Sequence, residues 1–410
     1  MNRHILSTGG GISRGAFLGR SAAIFGAATL AQACQSTNGN SRQTGSAGDD
    51  PIANARAAGF GDRPILMALN AGITAPNPHN TQAWKFRVLS ETSALVYVDE
   101  SRVLPVTDPT LRQIHIGQGC LLEVAAIAAG GLGYNTNVEL FPEGDYAAER
   151  DCGRKPIARI TLAPAVAGQS EARSTNDPLF AAIPRRHTVR AAYSGPWISE
   201  SECSELRQLI RPTHTRLDFA IAPDAVDEIL KRHYAGFERE VLTRRTAEES
   251  RNWFRIGDQE IFSKRDGISL RDNGVQGFER FMLETFFLST EPEDFFDEAN
   301  NRRFLARYRA DLLTARGSVL FITPGNAPRD WVLAGREYAR FQLAATALGF
   351  VSRPMSQLLQ EFDEMRDLRT EFEAYTGVAA PAKIQMAALL GRGDREYFSP
   401  RRPLQSMLES

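Results

Sequence analysis

The chain has 410 residues, 42% apolar and 24% charged, with a formal net charge of −1, which is enough apolar material for two cores. Acidic and basic residues are mixed along its length, so there is no overall field to draw in a nucleic acid or an anionic membrane, and no such partner is expected. Its four cysteines show no Cys-x-x-Cys spacing, which points to neither a disulfide framework nor a zinc site.

At the N-terminus, Arg3, Arg14 and Arg20 precede a small apolar run from Ser21 to Ala31 and then Ala31-Gln-Ala-Cys34, the pattern of an export peptide over residues 1–34. Ser13-Arg-Gly-Ala-Phe-Leu18 is similar to a twin-arginine (Tat) signal with Gly15 in place of the second arginine, which leaves both the Tat and the Sec routes open. Ala31-Gln-Ala-Cys34 is similar to a lipoprotein box, and residues 35–50 read as a polar, flexible tether. Cys34 is then either a lipid anchor or the start of a loose tail. The expected location is outside the cytoplasm, periplasmic or anchored on the outer side of the cytoplasmic membrane. Past this segment no apolar run of membrane-spanning length is expected.

The folded pattern begins near Pro51 with a helix over Pro64 to Gly72 and a loop over residues 74–82, where two prolines and two asparagines argue against a helix. Trp84 to Leu89 and Ala94 to Val98 read as a hairpin. Gly119 opens a helical run that closes on Gly133, with Cys120 on it as a small hydrophobe. Strands over 137–141 and 157–162 follow, and a Pro/Ala/Gly-rich stretch at 163–170 divides a first half, 51–170, from a second, 171–410. The second half starts with Pro178 to Arg190 and carries a charged insertion over about 233–307, whose core (Glu248 to Gly257, then Lys264-Arg-Asp-Gly-Ile268) reads as a lid or as a surface helical excursion. A strand over 318–323, a helical run from Gly335 to Gly349, a loop over 351–357 and a strand over 383–390 complete it. The two glycine-bounded runs have identical spacing, which predicts an internal duplication with function between the halves.

Two basic clusters bracket the second half, Arg185-Arg-His-Thr-Val-Arg190 and Arg401-Arg402. Forked guanidinium donors with a hydroxyl such as Thr188 suit a phosphate; each run alone also fits a solvated patch. Ala75-Pro-Asn-Pro-His-Asn-Thr-Gln-Ala-Trp84 is rich in proline and amide donors, which suits edge-on recognition of a flat heterocycle and also suits a plain turn.

That loop resembles the Ala-Pro-Ser-x-x-Asn-x-Gln-Pro-Trp signature of nitroreductase-like flavoproteins, and Arg186-His-Thr-Val-Arg190 resembles their phosphate motif. The match is closest to the Acg-type branch, over roughly residues 55–404, where Asp99-x-x-Arg102, Asp108-Pro-x-x-Arg112 and the lid's Asp-Gly-Ile recur in the same order. The resemblance implies an α+β nitroreductase-like fold, duplicated within one chain as a monomeric pseudo-dimer with a lid insertion, and one FMN between the halves. It implies that Arg186, Thr188 and Arg190, with Arg401 or Arg402, hold the phosphate. Pro76, Asn77, Asn80 and Gln82 would reach the isoalloxazine, with His79 and His187 helping by position, while Pro354, Met355 and Ser356 pass their backbone by flavin N5. Asn77 replaces a usual serine, and Met355-Ser356-Gln357 replaces an acidic residue and glycine. Only one of the two symmetric sites has all its parts, so one flavin per chain is expected.

No catalytic side chain and no metal site is assigned, because flavin chemistry needs no protein nucleophile and neither His79 nor His187 has a paired Ser or Cys. The implied activity is an FMN-dependent oxidoreductase acting on nitro, quinone or enone compounds, or oxidising a small substrate, with NAD(P)H or another electron donor. The alternative is a flavin-binding protein without turnover, a reservoir or a sequestering stress protein. A flavinless interaction module would show degraded phosphate motifs, which Arg186 and Arg402 argue against.

Overall fold

The computed structural model describes residues 59–60, 63–165, 177–284, 296–394 and 397–409. The expected export segment with Cys34, the tether and residues 166–170 of the expected boundary lie outside the described residues. In the first half, helix α1 (Pro64–Gly72) starts on a proline, whose fixed φ suits a first turn. A hairpin of β1 (Trp84–Ser90) and β2 (Ser93–Val98) follows, then α2 (Arg112–Gly131), β3 (Tyr134–Leu140), the single turn α3 (Ala148–Asp151) and β4 (Ala158–Pro164). All pairings are antiparallel, in the order β1-β2-β4-β3.

The second half opens with α4 (Pro178–Ala182) and α5 (Glu200–Ile210), the latter started by a reciprocal Ser199–Glu202 capping box. It continues through β5 (Arg216–Ala220), α6 (Pro223–Leu242), α7 (Arg244–Asn252), α8 (Gly257–Lys264), α9 (Gly277–Met282) and α10 (Glu298–Leu312). β6 (Gly317–Thr323), α11 (Pro328–Ala347), β7 (Val351–Pro354), α12 (Arg366–Thr376) and β8 (Lys383–Gly391) close it. Its sheet is again antiparallel, in the order β5-β6-β8-β7. The two sheets therefore match strand for strand, with α2 and α11 at the same place in each.

Those two helices form the seam. Gly119 and Gly335 do not open their helices, as the sequence suggested; they lie inside α2 and α11. A Cβ added to Gly119 would overlap the carbonyl of Val332, and one added to Gly335 would overlap the carbonyl of Ile116. The missing side chains let the two backbones touch at the crossing, which explains glycine in a helix interior despite its cost there. The far ends behave as expected: Gly133 and Gly349 take φ of 87° and 80°, the left-handed conformation of a helix stop. One continuous core joins Leu122 and Ala125 of α2 to Val332, Ala339 and Phe341 of α11. Beside it, buried Glu123 binds Arg336 at 2.8 Å and Arg340 at 2.9 Å across the seam.

Four other expectations need correcting. α2 is long and apolar enough to cross a membrane, contrary to the absence of any such run; it is a core helix, with 89% of its most apolar window buried. The loop over 74–82 contains a 3₁₀ turn, Pro78–Asn80. The loop over 351–357 begins as an edge strand, because Val351 to Pro354 pair with β8. The lid bounds near 233 and 307 fall inside α6 and α10, whose buried faces, with Val226, Leu230, Tyr308 and Leu312, join the second sheet's own core.

The seam makes a direct prediction. Overpacking a tight contact costs about 1–3 kcal/mol or more, so Gly119→Ala and Gly335→Ala should each lower the thermal midpoint by several degrees, measured by circular dichroism. Wild-type midpoints in both variants would contradict the backbone contact.

Candidate functional site

The loop between α1 and β1 is braced from within. Asn77 Nδ2 donates to the Ala75 carbonyl (3.2 Å), and its Oδ1 accepts the Gln82 amide (2.8 Å). His79, Asn80 and Gln82 have φ of 47°, 51° and 53°, a strained region for side-chain-bearing residues that needs surrounding support. Helix α2 supplies some of it: Gly117 leaves room for Pro78, whose Cδ would stand 3.3 Å from an added Cβ, and Gln118 donates to the Ala83 carbonyl at 2.7 Å.

Gln82 is fully buried and its amide is committed to the scaffold. Its Oε1 accepts the Arg402 amide (2.8 Å), and its Nε2 donates to the Arg265 carbonyl (2.8 Å). Asn80 Nδ2 donates to the Pro400 carbonyl (3.3 Å), while its buried Oδ1 has no partner among the described residues. His79 Nε2 lies 3.3 Å from Ser250 Oγ on α7. Burial, and then Arg190, push this imidazole down to about 4, so it is neutral at neutral pH.

Against this loop come the arginines. Arg186 Nη2 donates to the Thr74 carbonyl at 2.9 Å, and Arg401 Nη2 reaches the same oxygen at 3.3 Å. Arg401 also donates to Ile73 (2.9 Å) and Ser399 (3.0 Å). Both thus bond to carbonyls, and no carboxylate within ion-pair reach of either is found among the described residues. Arg186 is buried with Nη1 unpartnered, and burial lowers its affinity for the proton. Burial, and then Arg186, push Arg401 down to about 9. Asp272 acts on Arg401 from beyond ion-pair distance, and two cations converging with no carboxylate in contact suit an anion.

Arg401 rather than Arg402 stands beside Arg186. Arg402 gives its backbone amide to Gln82, and its guanidinium turns to the Ser406 carbonyl (3.2 Å). Arg190 Nη1 donates to the Asp272 carbonyl (3.2 Å), Thr188 is partly buried, and His187 packs its ring 4.6 Å from that of Phe398. The run is tied to β7: Val189 N donates to Ser352 O (3.1 Å) and Arg353 Nη1 to Arg190 O (3.2 Å). Pro354 and Ser356 are partly exposed at the end of that strand. Between them Met355 donates its amide to Ala387 (2.8 Å) and buries its side chain in the second core beside Tyr308.

Residues 249–272 reach nearly every part of the site, a role whose individual members the sequence did not reveal. Glu249 accepts the Val106 and Thr107 amides (2.8 and 2.9 Å), Gly267 N donates to Asn80 O (3.2 Å), and Arg265 Nε donates to Arg401 O (2.6 Å). Asp272 accepts from Ser399. The Asp266-Gly267 pair is the one local signal, a turn composition with Gly267 at φ 77°. In the second half the loop equivalent to 74–82 is the short 211–215 connection. There buried Glu337 takes the amides of Thr213 (2.7 Å), His214 (2.8 Å) and Thr215 (2.9 Å), so that position has no counterpart of the Asn80 and Gln82 loop.

No family model matches the chain. It is 35% identical over 130 residues to a Mycobacterium tuberculosis protein named "Putative NAD(P)H nitroreductase", a match covering 32% of this chain and 34% of the relative. It is 30% identical over 165 residues to "Putative NAD(P)H nitroreductase acg" of the same organism, covering 40% and 46%. The chain thus spans less than half the length of these two relatives. An uncharacterized protein of that organism aligns over 84% of this chain and 92% of its own length at 23% identity. Among solved structures, the FMN-dependent nitroreductase NfnB from Mycobacterium smegmatis overlaps 58% of this chain and 99% of its own, with 16% identity and a TM-score of 0.37. In motif order and by its sequence relatives, the chain is nitroreductase-like and similar to the Acg type.

Proposed function

We propose that the chain binds one FMN between the 74–82 loop and the 186–190 run and acts as an FMN-dependent oxidoreductase on a small organic substrate. The observation that carries this reading is the convergence of Arg186 and Arg401 on one carbonyl oxygen, 2.9 and 3.3 Å away, with no carboxylate paired to either among the described residues. A phosphate there would supply the missing counter-charge, so the residues fit the group. Asn80 Oδ1, buried and unpartnered, suits a ring N–H. The closed counterpart at Glu337 and the matching order of the two sheets support a monomeric pseudo-dimer with a single flavin.

FMN, when bound, accepts and returns hydride or electrons at N5. The chain's own part is narrower. Arg186 and Arg401 hold the anionic end, the braced loop orients the ring, the neutral His79 adds no charge beside it, and residues 249–272 exclude water. NAD(P)H is the donor to test first, and nitro, quinone or enone compounds the proposed acceptors. The export pattern at the N-terminus supports a location outside the cytoplasm. A second reading, an FMN reservoir or sequestering stress protein, is favoured by how thoroughly residues 249–272 are bonded to the site loop.

Anaerobic addition of NADPH or NADH to FMN-reconstituted protein, followed by absorbance, separates the two. Bleaching at useful rates is the expected result; flavin that stays oxidised yet bleaches with dithionite favours the reservoir or another donor. A charge-assisted hydrogen bond contributes about 1.5–3 kcal/mol, so Arg401→Met should weaken FMN roughly tenfold to a hundredfold while leaving riboflavin binding nearly unchanged. Equal loss for both ligands in fluorescence titrations would remove the phosphate assignment.

A further inference from the structure

Within the 249–272 segment two carboxylates face the first half, Glu249 on the Val106 and Thr107 amides and Asp266 on an arginine side chain. Asp266 binds Arg102 through Oδ2 and Arg255 through Oδ1, the latter at 2.9 Å to Nε and 2.8 Å to Nη2. The Asp266 side chain is 10% exposed, those of Arg102 and Arg255 17% and 7%. Arg102 belongs to the first half and also holds the site loop, donating from Nε to the Thr81 carbonyl at 2.6 Å. Its guanidinium and that of Arg255 lie 5.1 and 5.7 Å from the Trp253 ring. The residues flanking Asp266 make the two bonds to the loop already described, Arg265 O with Gln82 and Gly267 N with Asn80. Gly267 permits this approach, because a Cβ there would overlap the Trp253 carbonyl.

We propose that Asp266 is a latch and a positioning residue: it clamps the lid to the loop of Asn80 and Gln82, so that cofactor exchange requires its release. The consequence for flavin rests on the function proposed above; the clamp itself does not. The Asp266 charge is shared by two arginines, and Arg402 senses both Arg102 and Asp266. Neutralising it leaves Arg102 and Arg255 without their carboxylate in a poorly solvated place, where a lost partner costs more than the pair itself contributes. Asp272, bonded to Ser399 with its carbonyl on Arg190, ties down the other end of the segment, so release at Asp266 lets the lid swing while staying attached.

The test uses the full chain. In Asp266→Asn, amide hydrogen exchange across residues 249–268 should quicken at least about tenfold without added flavin, and FMN preloaded on the protein should dissociate faster by a similar factor in a dilution assay read by flavin fluorescence. Asp258→Asn, which removes lid-surface pairs to Arg271 and Arg280 at 3.0 and 2.9 Å, should leave both rates at wild type. Arg102→Gln attacks the same latch from the first half, keeps the test available should Asp266→Asn fold poorly, and should reproduce its effect. Unchanged lid exchange in Asp266→Asn and Arg102→Gln would overturn the proposal, as would an equal effect from Asp258→Asn. Faster lid exchange in Asp266→Asn and Arg102→Gln, with wild-type protein that takes up no FMN, would support the latch and remove the flavin reading alone.

Discussion

Everything else in this molecule depends on two helical backbones touching. Where α2 crosses α11, Gly119 faces the Val332 carbonyl and Gly335 faces the Ile116 carbonyl, in a reciprocal contact. Without side chains in the way the helices close to contact distance, and the two sheets are carried on the outside of the pair. That arrangement brings the loop after α1, which rests on Gly117 and Gln118 of α2, against the arginine run that leads into the second half. The site is thus made of parts that lie far apart in the chain and are adjacent only because of the crossing.

Two largely buried carboxylates are each paired with two arginines. Glu123 has Arg336 and Arg340, and Asp266 has Arg102 and Arg255. Arg186 and Arg401 have no such partner; they share a carbonyl, and burial and then Arg186 weaken Arg401's hold on the proton. A fold that pairs its buried ions at these other places and leaves two cations together at one point has stability to gain from an anion at that point. The matching strand orders sharpen the contrast, since at the connection before β5 Glu337 binds backbone amides and shuts the position.

Much of the fold was legible because it rests on local patterns. The hairpin of β1 and β2, the Pro64 to Gly72 helix and the stops at Gly133 and Gly349 follow from alternation, a first-turn proline and left-handed glycines. Gly119 and Gly335 were visible as a pair but misplaced as helix openers, because a close crossing is a tertiary fact with no local signature. β7 looked like a loop since Pro354 and the polar Ser352 and Arg353 hide an edge strand whose partner is more than thirty residues away. At the site, the arginine run and the Asn80 and Gln82 loop were readable as motifs. The choice of Arg401 over Arg402 and the grip of Asp266 depend on side-chain direction, which spacing does not encode.

The most direct test of a single anion-held flavin between unequal halves is isothermal titration of the full-length apoprotein with FMN, beside a parallel titration with riboflavin. The account predicts one FMN per chain, bound at least about tenfold more tightly than riboflavin because of the Arg186 and Arg401 pair. Two equivalents of FMN, equal affinity for the two flavins, or no binding of either would contradict it.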